Sequence, residues 1–123
     1  MQEIKKMLSL PKMEYYRTHL SLINCILPVK MTPKEIEVLA TFMSLEGDIA
    51  SYRFGTSGRR IVMNTLGIAH AGLSNYLRSL TDKEFLSTTP EGITKILPIL
   101  YPETHSQDYR FRLIKKKEEE TYA

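Results

Sequence analysis

The chain has 123 residues, of which 42% are hydrophobic and 25% charged, enough to bury one core and not two. No apolar run approaches a membrane span, and residues 1–13 are too charged for a secretory signal, so neither a membrane nor a secreted protein is expected. The net charge of +3 permits nucleic-acid binding without demanding it. Lys5, Lys6, Lys12, Arg17 and Lys30 outnumber Glu3 and Glu14 in the first thirty residues, and the remainder is nearly balanced.

Residues 13–27 place Tyr16, Leu20, Ile23 and Leu27 on one helical face, with Leu22 and Ile26 beside them, until Pro28 breaks the pattern. A strand through Leu20–Leu27 competes, but β-branched residues are few there. Tyr15, Leu22 and Ile26 make the stripe wider than one neighbouring helix needs, which predicts a homodimer through residues 13–27. Cys25 stands alone, so no internal disulfide forms, and its apolar neighbours predict a buried thiol in a cytosolic protein.

Met31–Ile36 is the clearest local signal. Thr32 caps a helix, Pro33 fits its first position, Glu35 closes a capping box, and Met31 and Ile36 form the hydrophobic staple. This helix is expected to run to about Leu45, burying Ile36, Leu39, Ala40 and Met43, with Glu35, Glu37 and Glu46 facing water and Gly47 ending it. A connector over 47–56 follows, with a helical turn at 49–52. Ser57 is then a candidate cap for a helix to Leu66 that buries Ile61, Val62 and Leu66. Arg59 and Arg60 in its first turn oppose the helix dipole, a cost that a docked phosphate offsets or that water absorbs. Gly55–Arg60 lacks the spacing and the Gly-Lys-[Ser/Thr] ending of a nucleotide-binding loop.

Gly67 is suited to the left-handed conformation that ends a helix, and Ile68 to packing back on it. Beyond the turn, Leu73, Tyr76, Leu77 and Leu80 share one face of a helix over 70–82. The opposite face carries Ala71, Ser74, Asn75, Arg78 and Asp82, small and polar groups of the kind that reach base edges in a major groove. After Leu86 the pattern turns to strand. Ile93–Leu100 is interrupted by Pro98, Tyr109, Phe111 and Leu113 alternate with Arg110 and Arg112, and residues 102–108 would form the hairpin tip between them.

Leu66–Leu80 resembles the L-G-[IV]-S-x-x-T-V-x-x-[HY]-[IL]-x-x-L pattern of bacterial and phage helix-turn-helix regulators. Thr81–Leu86 is similar to the end of the recognition helix in MarR-type winged-helix proteins, and Met31–Leu39 to the L-T-P-x-E-x-x-V-L opening of many such domains. The likeness spans residues 31–114. Ala69 stands where the family has a Ser or Thr cap, and Glu84 where it has Gly.

The resemblance implies a mainly α protein with a small β-hairpin, an α+β winged helix-turn-helix. Residues 1–30 would form an N-terminal extension, 31–114 the domain, and 115–123 a charged tail. It also implies a transcriptional regulator in a bacterial cytoplasm that binds double-stranded DNA. His70, Ser74, Asn75 and Arg78 are the expected base contacts, and Arg59, Arg60, Arg110 and Arg112 the phosphate contacts. The three His residues lie in separate segments without metal-ligand spacing, and no nucleophile motif appears, so no enzyme activity, metal or cofactor is expected. Winged helices also serve as docking modules, including in phage assemblies, and Asp82 and Glu84 near the recognition helix fit that alternative.

Overall fold

Thr32 opens the best-specified helix of the protein. A computed structural model describes residues 2–117. In it the Thr32 side chain accepts the Glu35 N–H at 3.2 Å, while Glu35 Oε1 accepts the Thr32 N–H at 2.7 Å. This reciprocal box starts a helix at Pro33, whose missing N–H costs nothing in the first turn. The described chain contains α1 (Lys12–Asn24), α2 (Pro33–Met43), α3 (Thr56–Leu66) and α4 (His70–Asp82). A two-stranded antiparallel hairpin of β1 (Leu86–Thr88) and β2 (Thr94–Ile96) follows, with Leu86 opposite Ile96 and Thr88 opposite Thr94. Short 3-10 turns occupy Gly47–Tyr52 and Pro98–Leu100. The fold is mainly helical with a small hairpin.

α2 is the centre of the core, burying Ile36, Val38, Leu39, Ala40, Phe42 and Met43. Leu20 of α1, Val62 of α3 and Leu73, Leu77 and Leu80 of α4 belong to the same cluster, together with Phe85, Leu86, Ile96 and Leu100. Phe42 stacks on Phe54 with ring centroids 4.4 Å apart, which fastens the 47–55 connector to α2. Gly58 is the most closely approached of the glycines. A Cβ there would lie 1.8 Å from the Arg53 carbonyl oxygen, so only glycine lets the start of α3 cross the end of the connector.

Glu35 departs from expectation. It faces the core, almost wholly buried, because Ser79 Oγ donates to Oε2 at 2.6 Å and Lys83 Nζ to Oε1 at 2.6 Å. Lys83 also donates to the Lys30 carbonyl at 2.9 Å, so one ammonium joins the α1–α2 loop to the end of α4. Burial alone would push the Glu35 carboxyl up; hydrogen bonds from Lys83, Ser79 and Thr32 outweigh it and hold the group at about 2.

Other boundaries also shift. α2 ends at Met43, and Gly47, at φ +74°, starts the 3-10 turn instead of closing the helix. α3 is capped by Gly55, with Ser57 inside its first turn. Cys25 is exposed, because α1 ends one residue before it and Lys30 folds back onto the Cys25 and Leu27 carbonyls.

The C-terminal segment differs most. The hairpin closes at Thr89–Ile93, where Thr89 N–H donates to the Ile93 carbonyl and Gly92 N–H to the Thr89 carbonyl, both at 2.8 Å. Pro98 stops β2 because it has no N–H for a ladder. Residues 109–113 therefore form no strand, and 102–108 no hairpin tip. The chain turns back over α1 instead. Tyr15 Oη donates to the Glu103 carbonyl at 2.7 Å, and the buried His19 bridges the Leu100 carbonyl, at 2.9 Å, and the Tyr109 hydroxyl. With Nε2–H donating to the carbonyl, Nδ1 accepts the Tyr109 hydroxyl, which is the neutral tautomer. Burial lowers the His19 pKa and pushes Tyr109 up to about 12.

Two acid-sensitive groups follow. His19 titrates below its ordinary 6.5 when folded, so stability falls as pH drops under 6.5 and the unfolded chain takes the proton first. Glu35 titrates at about 2 when folded against 4.5 unfolded, so its contribution is complete above 4.5 and lost as pH falls towards 2. Urea unfolding of Glu35→Gln at pH 7 should show a loss of about 3 kcal/mol. The variant's stability should also change less between pH 4.5 and 2 than that of the wild type.

Candidate nucleic-acid interface

α3 and α4 are joined by the three residues Gly67–Ala69. Gly67 has φ +64°, ψ +37°, and Ile68 N–H reaches back to the Met63 carbonyl at 3.1 Å, closing the end of α3. Ile68 packs half-buried against the core, as its position after the glycine suggested. α4 then begins at His70 and ends at Asp82, with Ala69 as its cap residue and no side chain accepting its first N–H groups. The start of α4 is therefore left to solvent or to a ligand anion.

Leu73, Leu77 and Leu80 lie buried beneath α4, and Tyr76 is half-buried beside them. The outward face presents His70, Ala71, Asn75, Arg78 and Asp82, all exposed; Ser74 is half-buried at its edge. The Ser79–Glu35 and Lys83–Glu35 bonds anchor the other end of the helix. One end is open and the other is fixed, so the direction of the outward face is set by buried groups rather than by the exposed ones.

The expected phosphate ligands fall into separate groups. Arg60 is exposed in the first turn of α3. Arg59 is half-buried, and its Nε donates to the Phe54 carbonyl at 2.7 Å, so part of its guanidinium is already committed to the start of α3. Arg110 and Arg112 are exposed but lie on the segment that leaves α1 at Tyr109, not on a hairpin strand. The hairpin instead presents Lys95, opposite Ser87, to solvent. Sequence reading missed Lys95 because it placed the hairpin one strand too late. The alternation Thr94-Lys95-Ile96 was the available signal, hidden in the longer apolar run up to Leu100.

Glu84 occupies the bend between α4 and β1 with φ +67°, the one non-glycine residue with positive φ among the described residues. Glu84 N–H bonds to the Thr81 carbonyl and Phe85 N–H to the Leu80 carbonyl, so the left-handed residue is held by the turn it completes.

Compared with family models, with curated proteins and with solved structures, the chain has no significant match. No helix among the described residues is long and apolar enough to cross a membrane, and no cluster of potential metal ligands occurs among them.

Relieving the strain at the bend tests its geometry. Glu84→Gly should raise stability in urea by about 0.5–1 kcal/mol, the left-handed penalty of a Cβ less the extra chain entropy of glycine. A destabilised variant would show that the Glu84 side chain, not its backbone, holds the turn.

Proposed function

We propose that the chain is a sequence-specific double-stranded DNA-binding protein of winged helix-turn-helix type, acting as a small transcriptional regulator. α3, the Gly67–Ala69 turn and α4 are its helix-turn-helix, and the β1–β2 hairpin is its wing. The observation that carries this reading is α4 itself. Three leucines are buried on one face, unsatisfied N–H groups lie at its start, and an amide and a guanidinium stand free on the face turned to water. A helix with this division fits a major groove, where Asn pairs with adenine edges and Arg with guanine edges.

On this reading Asn75 and Arg78 read bases, with His70 and Ser74 beside them. Arg60 and the uncommitted part of Arg59 hold phosphate at the start of α3, and Lys95 follows the backbone from the hairpin. Arg110 and Arg112 keep their phosphate role, from the C-terminal segment instead of the wing. Selection from random duplexes should yield a preferred site. On it, Asn75→Ala or Arg78→Ala should cost about 1–3 kcal/mol and relax preference at one position, whereas Arg60→Ala weakens all sequences alike. Equal losses on every sequence for both α4 variants would leave α4 bound to the DNA backbone only.

Two half-sites would be read by a homodimer formed through residues 13–27. Part of the wide apolar stripe is explained within the chain, since Tyr15 is engaged by Glu103. Ile26 remains 72% exposed and Leu22 half-buried, and these two support the pairing. Sedimentation at micromolar concentration should give a dimer that Leu22→Glu/Ile26→Glu converts to monomer; a monomeric wild type removes the interface.

A docking module is the second reading. It is favoured by Leu97 and Ile99, 40% and 74% exposed beyond the hairpin, because DNA backbone gives apolar side chains little to pack on. Absence of duplex binding at low salt would promote it.

A further inference from the structure

The cationic excess of this protein does not lie on its folded body. Residues 12–108 carry ten Lys and Arg against ten Asp and Glu, whereas residues 109–117 carry five cations, Arg110, Arg112, Lys115, Lys116 and Lys117, and no acid. Among the described residues none of these five forms an ion pair, and every residue from Arg110 to Lys117 is exposed. The segment has no secondary structure of its own, and its backbone makes no hydrogen bond to the backbone of the rest of the described chain. Its root is nonetheless fixed. The Tyr109 hydroxyl is held by buried His19, and six residues earlier the Glu103 carbonyl is held by Tyr15.

From this distribution we infer that residues 110–117 are an arm that binds the DNA phosphate backbone and supplies most of the sequence-independent affinity. The inference rests on the DNA reading of α4 and divides the labour within it. An electroneutral body gains little from a polyanion through its overall field, so base contacts from α4 alone leave association weak. Five cations on an extended chain release counterions when they meet phosphates, which is the dominant source of non-specific affinity. Eight extended residues reach up to about 26 Å from Tyr109, enough to follow the backbone past several phosphates. Fixing the arm at Tyr109 keeps those charges close to the body that carries α4. Glu118–Glu120 follow immediately in the sequence and subtract from the attraction, which sets its strength below that of an unbroken basic tail.

The full-length protein and the variant Arg110→Gln/Arg112→Gln/Lys115→Gln/Lys116→Gln/Lys117→Gln are titrated with a mixed-sequence duplex of about 30 base pairs at several salt concentrations, long enough to hold both α4 and the arm. The slope of log affinity against log salt should become shallower by about 3–4.5, at about 0.9 for each phosphate that the arm neutralises in the wild type. Asn75→Ala/Arg78→Ala should keep a slope close to that of the wild type on the same duplex. Glu118→Gln/Glu119→Gln/Glu120→Gln should bind it more tightly than wild type. An unchanged slope for the five-site variant overturns the arm and leaves the α4 reading standing. A shallower slope for that variant, in a protein for which selection yields no preferred site, supports the arm and overturns the α4 reading. Wild type that ignores the duplex but binds phosphatidylserine vesicles through the same five residues overturns the inference in favour of a lipid surface.

Discussion

One buried carboxylate sets the relation between the two ends of this fold. Glu35 caps the start of α2 through Thr32 and, on its other side, receives Ser79 and Lys83 from the last turn of α4 and the residue after it. The groups that meet there are 44 to 48 residues apart in the chain. Taking a carboxylate out of water costs several kcal/mol, and the cost is met only because each oxygen has a donor within 2.7 Å. Such a site is selective. The Ser79 and Lys83 bonds tie the last turn of α4 to the start of α2, a directional link added to the burial of Leu73, Leu77 and Leu80. The face carrying Asn75 and Arg78 points outward because Leu73, Leu77 and Leu80 on the opposite side are buried in the core.

α4 combines this rigid end with an open one. Ala69 provides no side-chain cap, and the preceding turn is closed by Gly67 onto α3, so the first N–H groups of α4 have no side-chain partner. A missing cap costs a helix about 1 kcal/mol. α1 and α3 also start without a side-chain cap, so α4 shares this cost with them and only α2, with its complete capping box at Thr32, avoids it. The positive φ of Glu84 is a second local cost at the same helix, and it turns the chain sharply into the hairpin.

Much of the helical fold was legible because its signals are local. The Thr32–Glu35 box, the left-handed Gly67 and the leucine spacing of α4 each act over three or four residues, and the span of α4 could be read from them directly. The outward face of α4 followed from the same periodicity. What could not be read depends on pairs distant in sequence. Glu35 looked like a surface acid because Ser79 and Lys83 are far along the chain. Tyr109–Leu113 has the alternation of a strand, yet the Tyr109 hydroxyl is drawn to His19, 90 residues earlier, and the segment crosses a helix instead of joining the hairpin. Lys95 was overlooked for a related reason, since the true hairpin uses the short stretch before Pro98. Arg59 read as a free cation because its bond to the Phe54 carbonyl depends on the path of the connector.

If α4 enters a DNA groove, it does so with the face opposite Leu73, Leu77 and Leu80. Backbone amide NMR of the labelled full-length protein, titrated with a duplex obtained by selection, tests this most directly. The largest shifts are expected at His70, Ala71, Asn75 and Arg78, with smaller ones at Arg60 and Lys95 and little change in α2. Saturating binding that leaves the amides of residues 70–78 in place, and moves only residues elsewhere, would contradict it.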